Sequence, residues 1–480
     1  MSLRRLLDRS SPPPAPNARS PRKVSRILAS LRTHIRTGRK PSHSIAQQQS
    51  IDLPYLPPEV WGVVIKHACL QDHDPLDASH ALSFLEETSA GLEFYRRALV
   101  TKLSCSLVCW SWRAYALEFV FEFIWISSAS QAKKLAHTLI LQSLHQSLVE
   151  PQYPGRTYGS HIRRIHIQTP SLERCAPADL LSILELSPGL TIYTDHHSVQ
   201  RSLYDDGPDP RCSPEKILSL VANPKLRRLS WTSYGDAPFE QRMSPMLTNL
   251  AVHLEYLELS SCSPNFRAIF AQPSHLVDMP VFLPSLRALK VSLDNQTFAA
   301  LASWSMPKLV NLSVLSSDFS YTGPGFSAFF KSHGEKLLQL ELGHSSSLVD
   351  EHYLTAPHRQ HPATPVPLAE WCPRLRQFIC SADAEWHWQS PDWIAAHVLL
   401  PAHPTVELIG IRDLDARLRD APLGLSTAPF FTLHELFASL LRRDAFPSLR
   451  FVRDMSMASH TMRSFRPTQP VIEFWSRVVD

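Results

Sequence analysis

The sequence predicts an α/β chain: a small helical unit near the front, followed by a long stack of short parallel strands alternating with helices. Three observations carry this. An apolar-x-x-apolar-x-apolar pattern returns from Ile162 onward, helix-like segments separate its copies, and among 480 residues glycine is scarce at 14 while proline is abundant at 40. Many prolines imply frequent breaks between short elements, and few glycines argue against Gly-rich nucleotide loops.

Residues 1–50 combine Pro12 to Pro14, scattered serines, a basic string from Arg22-Lys23 to Arg39-Lys40, and Gln47-Gln48-Gln49. They offer too little apolar surface to offset the entropy of ordering, so a disordered basic tail is expected. Other readings stay open: Val24, Ile27, Leu28, Leu31 and Ile35 can line a short basic helix of the transit-peptide kind, and the string itself suits nuclear import or nucleic acid. The first 40 residues hold eleven Lys/Arg and one acid, Asp8, so of a net +4 the tail contributes +10 and the rest −6. The body is therefore mildly acidic. Nucleic-acid binding, which needs basic residues and aromatics on one folded face, is not expected of it.

From 51 to 128 the sequence reads as two pieces of one helical motif, separated by an insert at about 70–101. Leu56-Pro57-Pro58-Glu59 opens a helix running to Ala68, because proline in the first turn loses no needed N–H and an acid there faces the positive end of the helix dipole. The second piece, from Lys102 through Leu107-Val108-Cys109-Trp110-Ser111-Trp112 to Trp125, has apolar residues three and four apart, with Ser111 placed to cap a helix starting at Trp112. These residues resemble the F-box family, whose pattern is Leu-Pro-x-Glu, an apolar helix, Leu-Val-Cys-x-x-Trp and a bulky hydrophobic helix. Leu56, Pro57 and Glu59 match the opening; Leu107, Val108, Cys109 and Trp112 match the close. The wide separation of the two ends is similar to the long-insert F-box proteins common in mushroom-forming fungi. The plainer alternative is two ordinary core helices.

Gln131 to Leu148 has helical spacing and is expected to be a linker helix within 129–155. Residues 156–480 carry the repeats. Ile162, Ile165 and Ile167 give the first copy. Leu226, Leu229 and Trp231 follow Pro224; Leu254, Leu257 and Leu259 come next; Leu286, Leu289 and Val291 follow Pro284; Leu309, Leu312 and Val314 follow Pro307. Leu337, Leu340 and Leu342, then Leu375, Phe378 and Cys380 after Pro373, then Val406, Ile409 and Ile411 continue it, with weaker copies at Leu190 and Leu449. The last two apolar positions share one strand face, and the first anchors the turn that enters the strand. Helical segments such as Asp179–Leu186, Pro214–Val221 and Phe326–His333 lie between. Such periodicity is the signature of an irregular leucine-rich-repeat solenoid, with parallel strands on the concave side and helices outside. A non-repetitive α/β domain is the competing reading. Leu348–Pro367 reads as a long exposed loop, and Val471–Val479 as an end cap.

No phosphate loop, nucleophile elbow or His-Glu-x-x-His helix occurs. Asp195-His196-His197, His358 with His361, and Trp386-His387-Trp388 fall in expected loops, so surface histidine outweighs a metal site. Eight cysteines without a Cys-x-x-Cys pair read as reduced thiols, and no run reaches the 18 apolar residues of a membrane span. No catalytic residue, metal or cofactor is expected.

The F-box resemblance implies a non-enzymatic substrate-receptor subunit of a cullin-RING (SCF-type) ubiquitin ligase, cytoplasmic and/or nuclear. A Skp-type adaptor would dock at Leu56, Pro57, Glu59, Ile65, Leu107, Val108, Cys109 and Trp112. An unknown protein substrate would lie on the concave strand face near Trp231, Tyr256, Glu258 and Lys290. The alternative is a non-catalytic leucine-rich-repeat interaction scaffold without a ligase role.

Overall fold

The computed structural model describes residues 57–70, 76, 82–85, 91–149, 157–169, 175–195, 214–233, 252–261, 281–292, 301–316, 324–344, 367–381, 400–412 and 440–455. The chain divides into Met1–Leu56 and Pro57–Asp480, and every described residue belongs to the second unit. The expectations for the basic tail, for Leu56, for the histidines at 196, 197, 358, 361 and 387, and for the end cap lie outside the described residues.

Three helices come first: α1 (Pro58–Leu70), α2 (Gly91–Ser106) and α3 (Trp110–Glu122). Pro58 stands in the first turn of α1, and Pro57 O accepts from Val60 and Trp61 N–H at 3.0 and 3.2 Å. Ile65 and Cys69, one turn apart, pack with Ala116 of α3, and Trp61 meets Trp112 with ring centroids 5.2 Å apart. Two expectations need correction. Helix α3 begins at Trp110 with Cys109 in extended conformation before it, so Ser111 is not the cap. It also ends at Glu122 instead of continuing to Trp125: Phe123-Ile124-Trp125-Ile126 has the aromatic and β-branched composition of a strand, and its backbone turns extended at Phe123 (φ −124°, ψ 122°).

That stretch is β1 (Phe123–Ile126), the first of eleven strands among the described residues. The others are β2 (Arg164–Ile167), β3 (Ile192–Asp195), β4 (Arg228–Ser233), β5 (Tyr256–Ser261), β6 (Ala288–Ser292), β7 (Asn311–Ser316), β8 (Gln339–His344), β9 (Gln377–Ser381), β10 (Leu408–Arg412) and β11 (Phe451–Asp454). They form one sheet in chain order, and every pairing is parallel. Helices α4 (Ala129–Val149), α5 (Pro177–Glu185), α6 (Pro214–Val221), α7 (Pro324–His333) and α8 (Leu368–Trp371) fall between strands. This is an α/β stack of the leucine-rich-repeat-like kind. The weak copies at Leu190 and Leu449 lead into β3 and β11, while α8, just past the expected loop at 348–367, had no counterpart in the sequence reading.

The repeat pattern has a physical reading at each position. In eight copies, the weaker ones at Leu190 and Leu449 included, the N–H of the first apolar residue donates to the carbonyl three residues back, as Leu226 to Asn223, Leu286 to Leu283, Leu309 to Met306 and Leu375 to Cys372. Proline two residues ahead of the anchor is thereby at the second position of a tight turn, where its fixed φ is already correct. The anchor then inserts: Leu226, Leu254, Leu286, Leu309, Leu337 and Leu375 are all fully buried. Register aligns the second apolar position into one rung, Leu229, Leu257, Leu289, Leu312, Leu340, Phe378 and Ile409, and the third into a parallel rung through Trp231, Leu259, Val291, Val314, Leu342, Cys380 and Ile411. Both rungs share a continuous core with α4 to α8. At each strand entrance one carbonyl receives two N–H groups from the next coil, as Arg287 O from Val310 and Asn311, both at 3.0 Å. This backbone ladder ties neighbouring coils where a repeated side-chain ladder is missing.

Candidate functional site

Two surfaces are candidates for binding, one on the helices and one on the sheet. On α1, Val60, Val63 and Val64 share a stripe at helical spacing and are exposed; on α2 Val100 and Leu103 are exposed, as is Leu107 in the turn that follows it. Leu107 is 80% exposed, Val108 61% and Trp110 84%. Burying any one of these against a partner is worth about 1.5–3 kcal/mol. Of the eight motif residues, Pro57, Glu59, Leu107, Val108 and Cys109 are exposed, Ile65 and the half-buried Trp112 form the internal core, and Leu56 lies outside the described residues. The motif thus divides between packing and exposed positions.

The second surface is the face of the sheet turned away from the helices. It is built by the residues that alternate with the two apolar rungs: one row, just ahead of the first rung, runs Arg228, Tyr256, Ala288, Asn311, Gln339, Gln377, and the next, between the rungs, Ser230, Glu258, Lys290, Ser313, Glu341, Ile379. Trp231, expected here, points the other way into the core, because it occupies the third apolar position of its copy. Tyr256, Glu258 and Lys290 are on this face, where Lys290 Nζ lies 2.8 Å from Glu258 Oε1 and Tyr256 Oη donates to Glu258 Oε2 at 3.2 Å. Burial, then the Glu258 carboxylate, holds the Tyr256 phenol well above its ordinary range. For Lys290 burial opposes the charge, but Glu258 outweighs it and the shift is upward. The Arg228 guanidinium lies 4.3 Å from the Tyr256 ring centre. Farther along, Arg412 Nε donates to the buried carboxylate of Glu341.

This face is not open to water. Ala288, Ser313 and Ile379 are all at 0% exposure although they point away from the helices. Among the described residues Ala288 and Ile379 pack with Leu82, Phe84 and Leu85, from the insert between α1 and α2, and with Met455. Asn311 Nδ2 donates to Leu82 O at 2.6 Å, Phe84 N–H donates to Gln339 Oε1 at 2.7 Å, and Arg412 Nη2 donates to Phe84 O at 2.8 Å. Gln339 Nε2 also reaches Ser83 Oγ at 3.0 Å and Gln377 Oε1 at 2.6 Å, and Phe84 lies beside Tyr256 with centroids 6.3 Å apart. Burying Leu82 and Phe84 is worth about 3–6 kcal/mol. Ordering four residues costs about 4–8 kcal/mol, so the hydrogen bonds, roughly 1 kcal/mol each, decide whether the segment stays down.

Sequence reasoning left the insert unassigned and missed this contact. Two signals were present: an apolar cluster inside an otherwise polar insert, and three successive copies with a carboxamide, Asn311, Gln339 and Gln377, at one register position. Among the described residues no three His, Cys, Asp or Glu side chains converge to hold a metal. Burial pushes the Cys372 and Cys380 thiols up to about 12, far from a reactive thiolate at neutral pH. Among the same residues no helix is long and apolar enough to cross a membrane.

Strand order and register define the described chain as an α/β stack of leucine-rich-repeat-like architecture. No protein-family model matches it, and no curated protein does. A solved structure, that of the leucine-rich repeat-containing protein LegL7 from Legionella pneumophila, aligns over 74% of this chain and 97% of its own at 9% identity and a TM-score of 0.35. So loose a likeness carries no argument, and the repeat assignment rests on strand order and register.

Proposed function

We propose that the chain is the substrate-receptor subunit of a cullin-RING (SCF-type) ubiquitin ligase, its helical unit docking on a Skp-type adaptor and its sheet holding a protein target. The observation that carries this is the bare apolar surface at the F-box-like motif, where Leu107 and Trp110 stand in water on a unit whose own core is already closed. Clustered large apolar side chains left exposed mark an interaction surface. Pro57, Glu59, Leu107, Val108 and Cys109 are its contact residues, and Ile65 and Trp112 hold the helices that present them. The chain supplies no catalytic group and no cofactor; its contribution is proximity, bringing a target lysine to where ubiquitin is delivered.

A second reading, an interaction scaffold whose helices only cap the sheet, is favoured by one contact. Tyr95 of α2 packs 5.0 Å from Phe123 and 6.1 Å from Trp125, covering the first strand as a cap would. Co-purification of the full chain with a Skp-type adaptor separates the two. Wild type is expected to retain adaptor at near-stoichiometric yield, and a Leu107→Asp, Val108→Asp variant to lose it with an unchanged far-UV spectrum. No retention by wild type, or full retention by the variant, sinks the ligase reading and leaves the cap.

A further inference from the structure

Four residues of the insert lie on the sheet as a bound peptide would. The grips on Leu82-Ser83-Phe84-Leu85 go to two carbonyls, one N–H and one hydroxyl, and they come from Asn311 on β7, Gln339 on β8 and Arg412 on β10. Ser83 Oγ also accepts from Leu85 N–H at 3.3 Å, which closes a tight turn locally. None of these contacts depends on the segment being joined to α1 and α2. Beneath the segment Glu258 is matched with Lys290 and Glu341 with Arg412, so neither pair calls for a charged occupant. Asn311 and Gln339, which hold the segment, are also content in water when the face is vacant, so the face tolerates exchange of its occupant.

We infer that this face is a binding groove for a short turn of protein chain with the pattern apolar-Ser-Phe-apolar, and that residues 82–85 are its intramolecular occupant, displaced by a target segment of the same chemistry. This rests on the sheet being the target-holding surface, and not on the adaptor. Tethering gives the resident segment a high effective concentration, so a target competes at an apparent affinity reduced by the fraction of time the groove is closed. The insert thereby sets a threshold for target capture.

The test uses the full chain and a fluorescent synthetic peptide copying residues 78–90. Wild type is expected to bind it weakly by anisotropy. Leu82→Ala with Phe84→Ala, which empties the groove, is expected to bind it at least about tenfold more tightly. Adding Asn311→Ala and Arg412→Gln to the emptied variant is expected to abolish that gain. Hydrogen exchange provides the second measurement: the Phe84 amide is expected to be protected in wild type and released as peptide is added. Peptide binding that does not improve on emptying, with sheet amides still protected, overturns the inference; so does loss of sheet protection in the emptied variant, which makes 82–85 a fixed part of the fold. Adaptor retention measured on the same samples keeps the two proposals apart, since it fails or holds independently of the peptide.

Discussion

The helical unit and the sheet each present a face without a repeat neighbour, and they treat it oppositely. On the helices, Val60, Val63, Val64, Leu107 and Trp110 face water with no covering segment of described chain. On the sheet, the central outward side chains are buried beneath Leu82–Leu85 and gripped by hydrogen bonds. The difference is chemical. The helical face offers chiefly apolar side chains and suits a partner that packs, whereas the sheet face offers carboxamides and matched ion pairs and suits a partner read through its backbone. Stability is expected to separate them in the same way.

The largest contrast comes from truncating one leucine in each region. Leu289 sits in the inner rung between Leu257 and Leu312 with no exposed surface. Leu289→Ala is expected to cost about 2–5 kcal/mol in urea unfolding, since the cavity is enclosed by neighbouring coils. Leu107→Ala, at 80% exposure, is expected to stay within about 0.5 kcal/mol. A comparable loss at Leu107 shows that the helical face is packed against something in the free protein, and the contrast between the two regions fails.

Acid is expected to act from the helix side of the sheet. His333 is buried, with Nε2 3.3 Å from Leu301 O and Nδ1 3.0 Å from Lys336 Nζ. Burial, then the neighbouring lysine charge, lowers its pKa from 6.5 to about 4. His403, with Nε2 3.0 Å from Cys372 O, is lowered in the same direction by burial. Because these folded-state values lie below the unfolded ones, the unfolded chain gains protons that the folded chain refuses, and stability falls as pH drops through 6.5 toward 4. The loss from His333 is about 2–3 kcal/mol, read as a drop in urea midpoint between pH 7 and 4.5 that His333→Gln flattens. Among the described residues no histidine grips residues 82–85, so protection of the Phe84 amide, corrected for its intrinsic rate, is expected to hold flat between pH 7 and 5.

The division between legible and illegible follows from the range of the interactions. The rungs could be read because each full copy states its own local rule, an anchor and then two apolar residues on one strand face, often with proline in the turn ahead. The weak copies at Leu190 and Leu449 keep the proline and the anchor but carry Asp195 and Asp454 at the last position. Trp231 was expected on the concave face, although its place as the third apolar residue of its copy already assigned it to the core. Phe123–Ile126 was read as helix because four apolar residues in a row carry no period that separates helix from strand. The contact of Leu82–Leu85 with Asn311, Gln339 and Arg412 spans more than two hundred residues in sequence, and no local pattern in a single chain specifies such a pairing.

The smallest expected effect tests how tightly the sheet face is covered at its far edge. Gly410 lies on β10 with its open side toward that face, and a Cβ there would come 2.3 Å from Met455 Sδ and 3.4 Å from Leu85 Cδ2. Its backbone needs no left-handed conformation, so the obstacle is space alone. Methionine is unbranched and yields readily, so Gly410→Ala is expected to displace Met455 from the cluster at a cost of about 1 kcal/mol. The informative readout is the Phe84 amide. Leu85 touches the same atom, so if the covering segment is held chiefly by its hydrogen bonds, Gly410→Ala loosens Met455 and leaves Phe84 protected. If apolar contact at this edge holds it, protection at Phe84 falls with that small loss of stability, and the sheet face is then covered by the same kind of packing that the helical face leaves unused.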